Sequence, residues 1–234
     1  MIVLEGVYKA FTIKGRTKVV ANGIDAVFPP RVSVGLMGRN GAGKSTLMEM
    51  IGGRMRPDAG RIRTEGTVSW PVGFAGNFNR EMTGAQNVRF AARLYGVDTD
   101  ALIDYVEDFA ELGPHFDAPL RTYSSGMRSR LAFGISMGVP FDTYLVDEVT
   151  SVGDASFKAK SLAVFRERMG RAGAILVSHS MGQMRRFCDA GAVLVDGHLS
   201  YFDDVEDAIE YHREVNGPGP GPARDDADDG DDDD

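Results

Sequence analysis

Short apolar runs open the chain, a helical spacing takes over in the middle, and short apolar runs then return in alternation with helices. Ile2–Lys9 and Lys18–Phe28 predict strands, separated by a turn at Lys14-Gly15-Arg16. Pro29-Pro30 breaks the second run, and Arg31–Met37 predicts a short apolar strand that runs into glycine. Lys44–Ile51 predicts a helix closed by Gly52-Gly53. Pro57-Asp58-Ala59-Gly60 predicts a turn, with short strands before and after Glu65-Gly66.

From about Thr83 to Gly138 the pattern is helical. In Asp98–Leu112 the apolar residues Leu102, Ile103, Val106, Phe109 and Ala110 recur at helix spacing. Beyond it come a strand at Tyr144–Val146, a helix at Ala155–Met169, a strand at Ala174–Val177, a helix at Met181–Cys188 and a strand at Ala192–Val195. A helix over Val205–Glu214 completes the order. Strands alternating with helices predict an α/β fold: a largely parallel core sheet, with a helical subdomain inserted at about residues 83–138.

Charge changes this picture only at one end. The net charge of −8 resides in the eight aspartates between Asp225 and Asp234, so the remainder sums to zero. A neutral body argues against a general nucleic-acid binder, which needs a basic stripe. Residues 215–234 are expected to be an acidic, disordered tail, dispensable and solvated rather than a partner tether. The lone Cys188 excludes an internal disulfide and a multi-cysteine metal site. No apolar run approaches the roughly 20 residues that span a bilayer, and the N-terminus lacks a signal-peptide pattern. A cytosolic protein is expected, unless a partner holds it at a membrane.

Three segments carry chemistry. Gly38-Arg39-Asn40-Gly41-Ala42-Gly43-Lys44-Ser45, followed by Thr46, fits the phosphate-binding loop G-x-x-x-x-G-K-[ST] between a strand and a helix. Its glycines let backbone N–H groups converge on phosphates, Lys44 adds a point charge, and Ser45 offers a hydroxyl to Mg²⁺. Asp147 and Glu148 end a buried strand. Asp147 would hold Mg²⁺ through water and Glu148 would polarise an attacking water. His179 follows the next strand, where parallel sheets place their ligands, and is a candidate γ-phosphate sensor. His115, His198 and His212 have no such context.

Ser124-Ser125-Gly126 opens a helix 23 residues ahead of Asp147. Alone it could be an anion site, but an ordinary helix cap is the better reading of the segment in isolation. Its position at the start of the insert's last helix keeps it from its own phosphate loop but lets it face that of a second copy.

With these pieces in this order, the chain resembles the ATP-binding-cassette family from Met1 to about Glu214. The matching segments are Walker A (Gly38–Ser45), signature (Tyr123–Met127), Walker B (Tyr144–Glu148), D-loop (Ser151–Asp154) and switch histidine (His179). The resemblance implies a P-loop NTPase fold with a RecA-like parallel-sheet core, an N-terminal antiparallel β-subdomain and an inserted α-helical subdomain, and two copies that sandwich two ATP molecules. It implies that Ser124 and Gly126 touch the γ-phosphate across that interface, that Ser125 and Asp154 also belong to the nucleotide-binding set, and that Phe11 stacks on adenine. Two departures stand out. Tyr123, Ser125 and Met127 replace the first, third and fifth residues of the usual Leu-Ser-Gly-Gly-Gln. The Q-loop glutamine, a Mg²⁺ contact, falls at Asn79, one methylene shorter.

Val68–Gly73, Thr83-Gly84 with Asn87–Phe90, Tyr123–Phe133 and Asp147–Asp154 are similar to the ATPase subunit of capsular polysaccharide exporters. O-antigen and teichoic acid exporters share much of this wording. The resemblance implies an ATP- and Mg²⁺-dependent ATPase, a homodimer on the cytoplasmic side of the inner membrane. A separate permease would carry a polysaccharide that this chain does not itself bind. The aromatic-rich stretch Trp70–Phe90 is the candidate dock for that permease, with core packing as the competing reading. A soluble cassette ATPase acting on DNA or ribosomes is the rival; one cassette, no heptads and one cysteine argue against it.

Overall fold

The computed structural model describes residues 1–72, 78–147 and 155–217. In chain order, β1 (Ile2–Ile13) and β2 (Arg16–Phe28) form a hairpin, and β3 (Ser33–Met37) runs through the phosphate loop into α1 (Lys44–Ile51). β4 (Ala59–Thr64) and β5 (Val68–Pro71) precede three helices, α2 (Gly84–Tyr95), α3 (Thr99–Ala110) and α4 (Ser125–Gly138). Then come β6 (Thr143–Asp147), α5 (Ala155–Met169), β7 (Gly173–Val177), α6 (Met181–Phe187) and β8 (Ala190–Val195). β9 (His198–Phe202) and α7 (Val205–Asn216) follow.

The described strands form two sheets. In the smaller, β1 lies between β2 and β4, all antiparallel. The larger has the order β5-β6-β7-β3-β8-β9, parallel throughout except for the β8–β9 hairpin. Its central strands are apolar at nearly every position because both faces are covered. Tyr144 and Val146 of β6 face the core shared with the helical insert, whereas Leu145 faces the core shared with α1 and the small sheet. Leu176 of β7 and Met37 of β3 take the first side, and Ile175 and Leu36 the second. Period-two side-chain direction thus welds the two halves through one sheet.

The helical insert is fixed by local signals. Thr83 and Gln86 form a reciprocal capping box at the start of α2, and Asp98 caps α3 by accepting the Ala101 N–H at 2.8 Å. Phe109 of α3 contacts Phe133 of α4 and Phe157 of α5, tying the insert to the core.

Several boundaries move. β1 extends to Ile13, four residues past the expected end, because its ladder with β2 continues to the turn. Ala59 and Gly60 belong to β4 rather than to a turn, since Ala59 pairs with Tyr8. The third strand begins at Ser33, after Arg31 in the left-handed region (φ 61°). α3 stops at Ala110, where Glu111 takes the left-handed conformation, and Cys188 lies just past α6. The apolar pattern does not predict β9. An Asp196-Gly197 turn, with both residues at positive φ, folds that strand back on β8. Among the described residues, no helix is long and apolar enough to cross a membrane.

Candidate functional site

β3, β6 and β7 are adjacent and parallel, so their C-terminal ends open on one edge of the sheet. β3 delivers the phosphate loop there, β6 delivers Asp147, and β7 delivers His179. The three meet in a cleft of about 730 Å³ with Phe11, Asn40, Gly41, Gly43, Lys44, Ser45 and Thr46 on its walls. Arg39 and Ala42 line an adjoining cavity of about 270 Å³.

The loop's shape depends on its glycines. Gly43 (φ 111°) leaves no room for a side chain, because a Cβ there would lie 2.8 Å from the Val20 Cβ of β2. Gly38 (φ 150°) would place a Cβ 2.5 Å from the Leu194 carbonyl oxygen of β8. These contacts clamp the loop between the two sheets. α1 starts at Gly43 without a side-chain cap and without an acidic residue in its first turn. Its first N–H groups and positive dipole end are thus left for an anion.

Lys44 is half-buried, and its ammonium donates to the carbonyls of Gly38 (2.7 Å) and Arg39 (3.1 Å). Desolvation holds its pKa below the ordinary lysine value, an effect the nearby Asp147 carboxylate opposes. Ser45 and Asp147 are exposed and line the same cleft. This pair of hard oxygen donors beside a phosphate site fits Mg²⁺, which favours one or two protein oxygens plus phosphates and water. His179 is exposed in a turn ordered by the Ser178 hydroxyl, which donates to Gln183 Oε1 at 2.7 Å and accepts the Ser180 N–H. At the cleft's far side the Lys9 ammonium lies 5.5 Å from the Phe11 ring centroid, beside a ring suited to stacking.

Other expected residues lie elsewhere. Ser124, Ser125 and Gly126 do not line the cleft; all three are exposed at the start of α4. The Ser124 hydroxyl caps α4, accepting the Met127 N–H at 3.2 Å. Among the described residues, a Cβ on Gly126 would meet nothing closer than 3.9 Å, so their packing does not require glycine there. Tyr123 is buried, and its hydroxyl donates to the His115 carbonyl at 2.7 Å, which makes it an anchor of the signature segment. Asn79 does not line the cleft either. Its side-chain oxygen accepts the Glu81 N–H at 2.9 Å in a turn before α2, so in this conformation the expected Mg²⁺ contact is not made at the cleft. Glu148 and Asp154 lie outside the described residues.

Residues 21–151 match the family described as ABC transporter. The chain belongs to the ABC transporter family. It is 46% identical over 216 residues to the polysialic acid transport ATP-binding protein KpsT of Escherichia coli, covering 91% of this chain and 96% of KpsT. It is 41% identical over 216 residues to the capsule polysaccharide export ATP-binding protein CtrD of Neisseria meningitidis serogroup B, covering 92% of this chain and all of CtrD. A solved ATP-binding cassette, a dimer in a post-hydrolysis state with ADP and Pi, superimposes with a TM-score of 0.72 at 18% identity. The match covers 88% of this chain and 99% of that one. The fold is therefore the ATP-binding-cassette fold.

Among the described residues that line the cleft, three escape sequence reading: Lys18, Val20 and Val177. Lys18 pairs with Phe11 across the β1–β2 hairpin, and its ammonium donates to the Gly41 carbonyl. Cross-strand pairing with an already suspected residue was the available signal. The aromatic stretch Trp70–Phe90 also divides. Trp70 is buried against Phe78, Tyr95 and Phe141, so it is core, whereas Phe90 is 56% exposed beside Leu94 at 63%.

Proposed function

We propose that this chain is the ATP-hydrolysing subunit of an ABC exporter that drives capsular polysaccharide across the inner membrane. The near-full-length likeness to KpsT carries this reading. The cleft, which unites Lys44, Ser45, Asp147 and His179, supports the hydrolytic half of it.

In this reading Phe11 stacks on the adenine, and the loop N–H groups with Lys44 hold the β- and γ-phosphates. Ser45 and Asp147 would hold Mg²⁺, which when bound neutralises charge on the phosphates. Glu148 orients and deprotonates the attacking water, and His179 contacts the γ-phosphate. Ser124, Ser125, Gly126 and Asp154 of a second copy close the site. The open space around Gly126 supports such an approach, since no contact among the described residues explains that glycine. Asn79 would join the magnesium shell only if its loop moved towards the cleft. The domain spans residues 1–214 with its helical part near 83–138, and the protein works as a homodimer on the cytoplasmic face beneath a separate permease. That permease docks on α2, where Phe90 and Leu94 form an exposed apolar ridge beside Arg89 and Arg93.

Purification from membranes in mild detergent tests the assignment. Recovery with a polytopic membrane protein is expected, together with intracellular retention of glycan in a Lys44→Ala strain. Recovery with ribosomes or DNA instead would overturn it.

A further inference from the structure

The strand that carries Phe11 outruns one of its two neighbours. On one edge of β1 the ladder with β2 continues to Ile13, but on the other edge the last partner is Ala59 of β4, opposite Tyr8. Past that point, among the described residues, no strand lies beside Lys9, Ala10 and Phe11 on the β4 edge. Asp58 fills the gap. Its N–H donates to the Tyr8 carbonyl at 2.8 Å, and its carboxylate accepts the Ala10 N–H at 2.9 Å. The other carboxylate oxygen accepts from the Lys9 ammonium at 2.6 Å. A side chain thus supplies the hydrogen bond that a longer β4 would have made. The β2 edge is irregular here too, with register shifts between Val7 and Lys9 and between Lys9 and Ala10, so its ladder alone holds this segment less firmly.

Lys9 passes the restraint on to the ring. Residues 9 and 11 share a face of the strand, and the ammonium lies over the Phe11 ring, 5.5 Å from its centroid. The same ammonium donates to the Arg56 carbonyl at 3.2 Å, and the Lys9 side chain is only 14% exposed. The bond from Lys9, then the one from Ala10, holds the Asp58 carboxyl below the usual carboxylate range, so the pair is charged at neutral pH. Asp58 is also tied to the phosphate site. Residues 52–58 leave the end of α1, and the Arg54 and Met55 N–H groups donate to the Glu49 carbonyl of that helix at 2.9 and 3.2 Å. One short connection therefore runs from the helix behind the phosphate loop to the aromatic ring on the opposite wall of the cleft.

We propose that Asp58 is a positioning residue for the nucleotide: through Lys9 and Ala10 it holds the Phe11 ring in place for a base to stack on. This rests on the reading of Phe11 as the ring that stacks on adenine. Asp58 is not among the residues that line the cleft, so it acts on the base through the ring rather than by touching nucleotide. Without its carboxylate, residues 9–11 can shift on their unpaired edge, and binding must then order the ring. The phosphate loop, clamped by its own contacts with β2 and β8, keeps its affinity for phosphates.

Steady-state ATP hydrolysis by the full chain and by Asp58→Ala, Asp58→Asn and Phe11→Ala tests this. Inorganic triphosphate, which offers phosphates but no base, serves as the competing inhibitor. Asp58→Ala is expected to raise the KM for ATP about three- to tenfold, to leave kcat within about twofold, and to leave the inhibition constant of triphosphate unchanged. Asp58→Asn, whose amide oxygen can still accept the Ala10 N–H, is expected to fall between the full chain and Asp58→Ala. Phe11→Ala is expected to raise KM at least as far. A parallel rise in KM and in the triphosphate constant would mean that Asp58 acts on the phosphate loop or the fold, and would overturn the proposal. An unchanged KM in Asp58→Ala beside a raised one in Phe11→Ala would overturn it as well. An unchanged KM in Phe11→Ala would instead remove the stacking reading, and the positioning role with it. Should Asp58→Ala fail to fold, Lys9→Met, which leaves the Asp58–Ala10 bond in place, decides in its stead: the same selective rise in KM supports the proposal and an unchanged KM overturns it.

Discussion

Lys44 shows how much of the site rests on single side chains. Its ammonium is partly desolvated, close to Asp147, and held by two loop carbonyls, so it is aimed before any phosphate arrives. Lys44→Ala is expected to lower ATP turnover by roughly 10²-fold or more, measured as phosphate release, with little change in thermal unfolding. Glu148→Gln is expected to retain ATP binding, slow hydrolysis by about 10²–10⁴-fold, and accumulate as an ATP-bound dimer on gel filtration. Turnover at the wild-type rate would remove Glu148 from the mechanism.

At the scale of elements, α4 and α2 carry separable duties. Gly126 lies in the first turn of α4 with open space around it, so Gly126→Ala is expected to stabilise the isolated chain by about 0.5–1 kcal/mol. The same change should lower ATPase activity by narrowing the approach of a second copy's phosphate. A variant more stable and equally active would show that this glycine faces nothing. On α2 the buried face packs Val88, Ala91 and Ala92, and the opposite face leaves Phe90 and Leu94 exposed. If α2 is the proposed dock, Phe90→Ser combined with Leu94→Ser is expected to preserve the fold and ATP binding but to abolish recovery with a polytopic membrane protein.

At the scale of the whole molecule, the large sheet is the shared wall of both cores, and Cys188 reports on it. Burial pushes the Cys188 thiol up to about 12, with Asp189 adding to the effect. Its ionisation is thus favoured only in the unfolded chain, where a thiol titrates near 8.5. The folded pKa is the higher one, so this contribution to stability is intact below about pH 8.5 and declines as pH rises from there towards 12. Cys188 is expected to resist a thiol reagent at pH 8 until denaturant opens the sheet, which a time course of labelling checks. Rapid labelling of the native protein would show that this side of the core opens locally.

Sequence spacing determined the phosphate loop, the acidic strand end and most helices, because these depend on local requirements. Glycines must curve the loop, and a 3.6-residue period marks helices such as α3. It did not yield β9, whose partly exposed strand has a weak apolar pattern and whose Asp-Gly turn was the only local clue. Only tertiary structure brought Lys18 beside Gly41, buried Trp70 while exposing Phe90, engaged the Asn79 oxygen in a turn, and set the end of α7 beside the loop. Each of those depends on contacts between segments far apart in the chain, and sheet order rather than residue spacing decides which distant segments meet.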